Sequence, residues 1–202
     1  MTASRQPTQP GQAGQQRAAP PEMPAEHAIL GLLLLDNGAG HGYDLARHFG
    51  EGQPLGGVLR LEPGMLYHHL KKLARAGWVT STVEPQGSRP PRQVYRVTPA
   101  GRQELERWLR EPVTRTREIR LEFLVKLFFA RRLDPSLAAH LIAEQRETLR
   151  GLEDSLAKQT IAPAPENAAD AEFMHHVTAL RLAQTRAALD WLDRVAAPES
   201  KQ

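Results

Sequence analysis

One stretch constrains the fold of this chain more than any other: Glu62-Pro63-Gly64-Met65-Leu66-Tyr67-His68-His69-Leu70-Lys71-Lys72-Leu73-Ala74-Arg75-Ala76-Gly77-Trp78-Val79. Proline at the first position of a helix costs nothing, because the N–H it lacks would have no partner there. Leu66, Leu70 and Leu73 then recur at helical spacing and make a stripe to bury. Gly64, Tyr67, His68, Lys71 and Arg75, at i, i+3, i+4, i+7 and i+11, fall on the other side. That side is neither acidic nor apolar. It carries a phenol, an imidazole and two fixed cations, a set that suits a helix lying in a DNA groove. Gly77 stops the helix.

The residues after Gly77 narrow the reading. Trp78-Val79-Thr80-Ser81-Thr82-Val83 is rich in β-branched and aromatic residues and is expected to be a strand. Glu84 to Pro91 holds three prolines and is expected to leave the ladder, since proline has no donor to give it. Gln93-Val94-Tyr95-Arg96-Val97 is the returning strand. Thr98-Pro99 opens another helix as N-cap and first-turn proline. Upstream, Glu26 to Leu35 is a helix, Gly38-Ala39-Gly40 a loop, His41 to about Gly50 a second helix, and Gly52 to Gly57 a flexible turn. Helix, helix, helix and a two-stranded wing make a winged helix-turn-helix over residues 27–101, within a domain placed at 25–112. Arg89 and Arg92 at the wing tip are held out from the body by glycine and prolines, where they suit a minor groove or a phosphate.

These residues resemble the PadR family of bacterial transcriptional regulators. The likeness runs through Ala28-Ile29-Leu30-Gly31-Leu32-Leu33, His41-Gly42-Tyr43-Asp44-Leu45, Pro63-Gly64, Leu66-Tyr67, Leu70-Lys71-Lys72-Leu73 and Gly77. It closes with Gly87, Arg89-Pro90, Tyr95-Arg96, Thr98 and Gly101. No single piece is specific; the ordered set is. The resemblance implies a homodimeric DNA-binding transcription factor, most often a repressor, whose C-terminal helices dimerise and often sense a ligand. The chain departs from the family where a serine or threonine commonly flanks the Pro-Gly pair: it has Glu62 and Met65. Ala74 and Arg75 stand where the family often has acids, so this helix face is more basic than usual.

The C-terminal half, residues 113–202, reads as helical. Thr98 to about Pro112 places Leu105, Trp108 and Leu109 on one patch. Glu118 to Leu133 is apolar on nearly every face and is expected to be buried on several sides. After the Asp134-Pro135 cap, Ile142, Gln145, Leu149, Leu152 and Leu156 alternate at spacings of 3 and 4. Beyond a break at 160–169, Phe173, Val177, Leu180, Gln184, Ala187 and Trp191 do the same. Two such helices make an antiparallel hairpin too thin to bury both stripes alone, and a second copy would cover them. Leu149, Leu152, Leu156, Phe173, Val177, Leu180 and Trp191 are therefore the candidate dimer residues. The fold class is mainly α with a small β-wing: a winged helix-turn-helix followed by a C-terminal helical hairpin.

Composition sets the outer bounds. The net charge is only +3, but Lys71, Lys72, Arg75, Arg89, Arg92, Arg96 and Arg102 cluster in the first half with few acids among them. The sequence holds no cysteine, which excludes disulfides, thiolate metal sites and cysteine nucleophiles. No apolar run approaches the roughly 20 residues that span a bilayer, and the N-terminus carries no cationic-then-apolar signal, so a cytoplasmic protein is expected. Residues 1–24, rich in Gln, Pro, Ala and Gly, do not hold enough apolar surface to repay ordering and are expected to be a disordered tail.

The DNA candidates are Gly64, Tyr67, His68, Lys71, Lys72, Arg75, Arg89 and Arg92. Lysines and arginines are expected on phosphate, with Tyr67 and His68 nearer base edges; on an isolated helix the same lysines would read as a solvated face. Trp108, Phe123 and Phe128 are candidate walls of a cavity for a small apolar or aromatic effector, or simply core. Neighbouring helix residues point about 100° apart, so the pairs His68-His69 and His175-His176 are poor chelators and no metal is expected. No serine-nucleophile, phosphate-loop or zincin motif is present, so neither catalysis nor a cofactor is expected. Two other classes fit less of the chain: a small-molecule sensor with secondary DNA binding, and a protein-interaction module acting through the hairpin.

Overall fold

The leucine run near residue 30 has no polar side to turn outward, and the chain buries it as far as Leu33, leaving Leu35 exposed at its end. In the computed structural model, which describes residues 24–86, 89–161 and 167–196, this run is α1 (Pro24–Leu35), buried from Ala25 to Leu33. The expected tail at residues 1–24 lies outside the described residues except for Pro24. Asn37 and Gly38 then turn the chain with positive φ. The expected loop at residues 38–40 is instead largely strand: β1 (Ala39–His41) pairs antiparallel with Arg96, Tyr95 and Val94. Three residues form too short a strand to show an alternating pattern. Helix α2 (Gly42–Arg47) is shorter than expected. The chain beyond it proceeds by hydrogen-bonded turns that bury Leu55 and Leu59.

Helix α3 (Pro63–Arg75) opens on Pro63 and buries Leu66, Leu70 and Leu73, as the spacing requires; it also buries His69. It ends in a Schellman motif. Gly77 sits at φ +73°, its N–H donates to the Ala74 carbonyl, and the Trp78 N–H donates to the Leu73 carbonyl.

Strands β2 (Val79–Gln86) and β3 (Arg89–Val97) form the wing, and the sheet order is β1-β3-β2. Both strands run farther than the prolines suggested. The ladder is regular from Val79↔Val97 to Glu84↔Arg92, shifts around Pro85, and resumes at Gln86↔Arg89. Pro85 is tolerated because it sits at that irregularity on an edge strand. Pro90 and Pro91 are tolerated because β1 reaches β3 only at residues 94–96, leaving their far side unpaired.

Thr98 caps α4 (Pro99–Arg110): its Oγ1 accepts from the Gly101 N–H and donates to the Gly77 carbonyl. One hydroxyl thus ties the end of α3 to the start of α4. The helix expected over 118–133 is not uniform. A short α5 (Thr116–Glu118) passes through a π-helical turn, Ile119–Phe123, into α6 (Leu124–Leu133). The wide turn carries Ile119 and Phe123 into the core.

Asp134 Oδ1 accepts from both the backbone N–H and the hydroxyl of Ser136, a cap that starts α7 (Pro135–Ile161). On α7 the expected stripe faces inward: Ile142, Gln145, Leu149 and Leu156 are buried and Leu152 is partly so. The Gln145 amide is satisfied in both senses, donating to the Val113 carbonyl and accepting from its N–H. The antiparallel α8 (Ala168–Ala196) differs from expectation. The side packed on the chain carries Thr185 and Leu192, with Leu182, Ala188, Leu189 and Val195 partly covered. Phe173 and Leu180 stay exposed at 64% and 60%, and Gln184 and Ala187 are exposed with them. Val177 and Trp191 of the expected stripe are partly covered, Trp191 against the core, so the stripe is divided between the chain's own packing and solvent.

Candidate nucleic-acid interface

Burying Leu66, His69, Leu70 and Leu73 fixes which side of α3 is left to solvent. Gly64, Tyr67, His68, Lys71 and Arg75 are all exposed there, so the five residues expected on one face do share it. Met65, exposed at 49%, joins them. Gly64 has open space where a Cβ would be. Tyr67 is held rather than loose, because its ring lies on Gly42 at the start of α2. A Cβ there would meet the Tyr67 ring at 2.6 Å. Beside Gly42, Tyr43 is exposed at 72%. Sequence reasoning noted Tyr43 only as part of a helix start, because its exposure beside the glycine that seats Tyr67 appears only in the fold.

The lysine pair separates. Both lysines are exposed, but the Lys72 ammonium lies 2.8 Å from the carboxylate of Glu26 on α1. Glu26 is itself buried and also accepts from His69 Nδ1 at 3.1 Å. Of the paired histidines, then, His69 points inward against the Glu26 carboxylate and His68 outward. Among the described residues no cluster of three or more His, Cys, Asp or Glu side chains is arranged to hold a metal.

On the wing, Arg92 is exposed and stands opposite Glu84 in register, while Arg96 pairs with Glu84 at 3.2 Å. Arg89 lies in β3, but its side chain falls outside the described residues. The wing is braced from behind: Tyr95 donates to Gln93, whose amide donates to Ser81 on the opposite strand. Burial pushes the Tyr95 phenol up from its ordinary value.

The three candidate effector residues have different surroundings. Trp108 is buried, lying parallel to His27 with ring centroids 4.2 Å apart, and its indole N–H donates to Glu122. Lys126, from α6, sits 4.8 Å from the same ring and donates to the Glu111 carbonyl. Burial lowers the Lys126 ammonium from its ordinary value against the opposing pull of Glu122. Burial likewise pushes His27 down to about 4, although Glu104 accepts from its Nε2. For Glu104 burial works upward, but hydrogen bonds from Arg107 and His27 outweigh it and hold the carboxyl below its usual range. This layer of charges over Trp108 joins α1 and α4 to α6, and nothing in the spacing of its members signals it. Phe123 is fully buried, edge-on to Trp191 at 6.0 Å. Phe128 lines a cavity of about 450 Å³, bounded also by Leu32, Asp36, Asp44, His48 and Arg132.

Comparison with known proteins gives the family. Residues 29–107 match the transcriptional regulator PadR-like family, and residues 119–198 match the family described as virulence activator alpha C-term. A probable transcriptional regulator of Mycobacterium tuberculosis, Rv1176c, is 31% identical over 186 residues, covering 86% of this chain and 96% of that protein. The negative transcriptional regulator PadR of Bacillus subtilis is 29% identical over 179 residues, 85% of this chain and 95% of the relative. Crystal structures of that PadR are similar in complex with operator DNA (26% identity, 87% and 98% of the two chains, TM-score 0.43) and with p-coumaric acid (28%, 86% and 94%, TM-score 0.36). An exposed basic-aromatic helix face beside a wing, on a chain aligned nearly end to end with such regulators, places this protein in the PadR-like family as a DNA-binding transcriptional regulator.

Proposed function

We propose that the protein is a homodimeric repressor acting in the cytoplasm on an inverted-repeat operator. Two copies of α3 enter successive major grooves about 34 Å apart. The observation that carries this reading is the α3 face itself, where Tyr67, His68, Lys71 and Arg75 stand exposed together while the leucines behind them are buried. Lys71, Arg75 and Arg92 bind phosphate, which positions the protein; Tyr67 and His68 reach base edges, which specify. The B. subtilis relative is named a negative regulator and is seen with operator DNA, which supports repression.

The second copy docks on α8, through Phe173, Met174 and Leu180, each at least half exposed in the single chain. Leu149 and Leu156 contribute little to that contact, since α7 already buries them within the protomer. Among the described residues no helix is long and apolar enough to cross a membrane.

The effector reading rests on the cavity beside Phe128. Its walls come from α1 and α2 on one side and α6 on the other. An occupant that binds one arrangement of these parts better than another shifts the spacing of the two α3 helices. Trp108 and Phe123 enter this scheme as core that transmits the shift, not as ligand contacts. The relative's complex with p-coumaric acid supports a small aromatic ligand.

Fluorescence anisotropy on DNA from upstream of the protein's own gene, against scrambled DNA at two salt concentrations, tests the proposal. Preference that survives higher salt is expected. Equal, steeply salt-dependent binding to both would overturn sequence-specific repression at that site and favour a sensor acting elsewhere.

A further inference from the structure

A carboxylate that is 3% exposed cannot stay ionised cheaply without a partner, because burying a bare charge costs several kcal/mol. Glu26 is such a group, and its two partners among the described residues, His69 and Lys72, lie on α3. The Lys72 ammonium and the His69 Nδ1–H converge on the same oxygen, Glu26 Oε1, at 2.8 and 3.1 Å. His69 is itself only 5% exposed, and its Nε2 has no hydrogen-bond partner among the described residues, so the bond to Glu26 is what orients the ring.

We propose that Glu26 is a positioning residue for DNA recognition: through His69 and Lys72 it fixes the rotation of α3 about its own axis, and Lys72 serves this grip rather than a phosphate. The inference rests on the reading of α3 as the helix that meets DNA. His69 and Lys72 are one turn apart and so are gripped from the same side. The leucines around them hold α3 in place by burial, which has no direction. Hydrogen bonds have direction and tolerate only a few tenths of an ångström. The difference matters at the outer face. A roll of about 20° moves a side-chain tip some 5–6 Å from the helix axis by about 2 Å, enough to break a base contact made by Tyr67 or His68.

The same contact decides the role of Lys72. To neutralise a phosphate it would have to leave Glu26 behind as a buried, half-compensated charge, or bring the carboxylate with it against the DNA. Lys71, one residue along and turned outward, carries no such cost. The two lysines of the sequence motif therefore do different work.

Four variants test this on a random-sequence duplex and on operator DNA, with melting temperature as the control for folding: K71A, K72M, E26Q and the double variant E26Q/K72M. K71A should flatten the dependence of log K on log salt by about 0.9, the value of one phosphate contact. K72M alone should melt lower, having stranded Glu26, and E26Q/K72M should recover the melting temperature because no buried charge remains. The double variant should keep the salt slope within about 0.3 of the parent, yet lose about tenfold in operator-over-random preference, the size of one lost base-pair contact. A double variant that loses as much slope as K71A overturns the inference by showing Lys72 on phosphate. One that keeps full operator preference overturns the positioning role. If K71A itself leaves the slope unchanged, the placing of α3 on DNA fails, and the inference fails with it. That outcome is distinct from failure of the Glu26 contact alone, in which K71A responds as expected.

Discussion

At the scale of single residues, the outer face of α3 was legible and the groups behind it were not. Leu66, Leu70 and Leu73 announced the inner side by spacing alone, so Tyr67 and Lys71 fell to the outer side. Tyr67→Phe keeps the ring on Gly42 and removes only the hydroxyl; operator affinity should fall by about 1–3 kcal/mol, the range of one discriminating contact, with random-DNA affinity nearly unchanged. Equal losses on both DNAs in the anisotropy titration would deny Tyr67 a base-reading role. Glu26 and His27 escaped sequence reading because nothing in a short i, i+1 acid-histidine pair reports what is packed against it from far along the chain. Their burial appears only once α1 is sandwiched. His27 makes that burial measurable. Its folded value, pushed down to about 4, lies below the roughly 6.5 of an unfolded histidine. The unfolded chain therefore takes up the proton first as pH falls, and the stability present above about 6.5 drains away between there and about 4. Between pH 7.5 and 5 the loss from this residue should be about 2 kcal/mol. Urea midpoints of the parent and His27→Gln at both pH values check it: the parent should lose more, and equal losses would contradict a neutral, buried imidazole.

At the scale of elements, punctuation was read more surely than extent. Pro63, Gly77, Thr98 and Asp134 sit at the helix ends where caps and breakers belong, because each acts through bonds to its near neighbours in sequence. Gly77 shows the cost of such a position: at φ +73°, Gly77→Ala should destabilise the fold by about 1 kcal/mol in thermal unfolding, and an unchanged melting temperature would mean that α3 can end another way. Extents depended on partners far off in sequence. β1 is a strand only because β3 lies beside it. The prolines of the wing look like breakers in sequence, but their missing donors matter only if another strand faces them, and β1 stops short of them at residue 94. The π turn at residues 119–123 left no periodic mark, since one widened turn inside a largely apolar stretch does not change its composition.

At the scale of the whole molecule, the exposed apolar residues of α8 lead to an assembly prediction. Phe173→Glu with Leu180→Glu removes surface that is already in water in the single chain, so folding should be kept while two copies separate. Light scattering after size exclusion should then report a monomer, and operator affinity should drop far more than affinity for random DNA, because a half-site remains. A double variant that stays dimeric would place the contact on another surface. Sequence spacing named Phe173 and Leu180 as candidate dimer residues, and both are exposed in the single chain. Helix α1, buried from Ala25 to Leu33, ties the two halves of the chain together. Its Glu26 reaches α3, its His27 faces Trp108, and the ring of Phe129 on α6 lies so close to Gly31 that a Cβ there would meet it at 2.5 Å. No cut through the chain separates a DNA reader from a helical partner without leaving one of them with half a core. Such a protein resists being rebuilt by exchange of parts: a new C-terminal half brings a new α6, and α1 has to change with it. Divergence in this architecture is thus expected to run through paired changes on α1 and α6, while the outer face of α3, turned to solvent, is free to change one residue at a time.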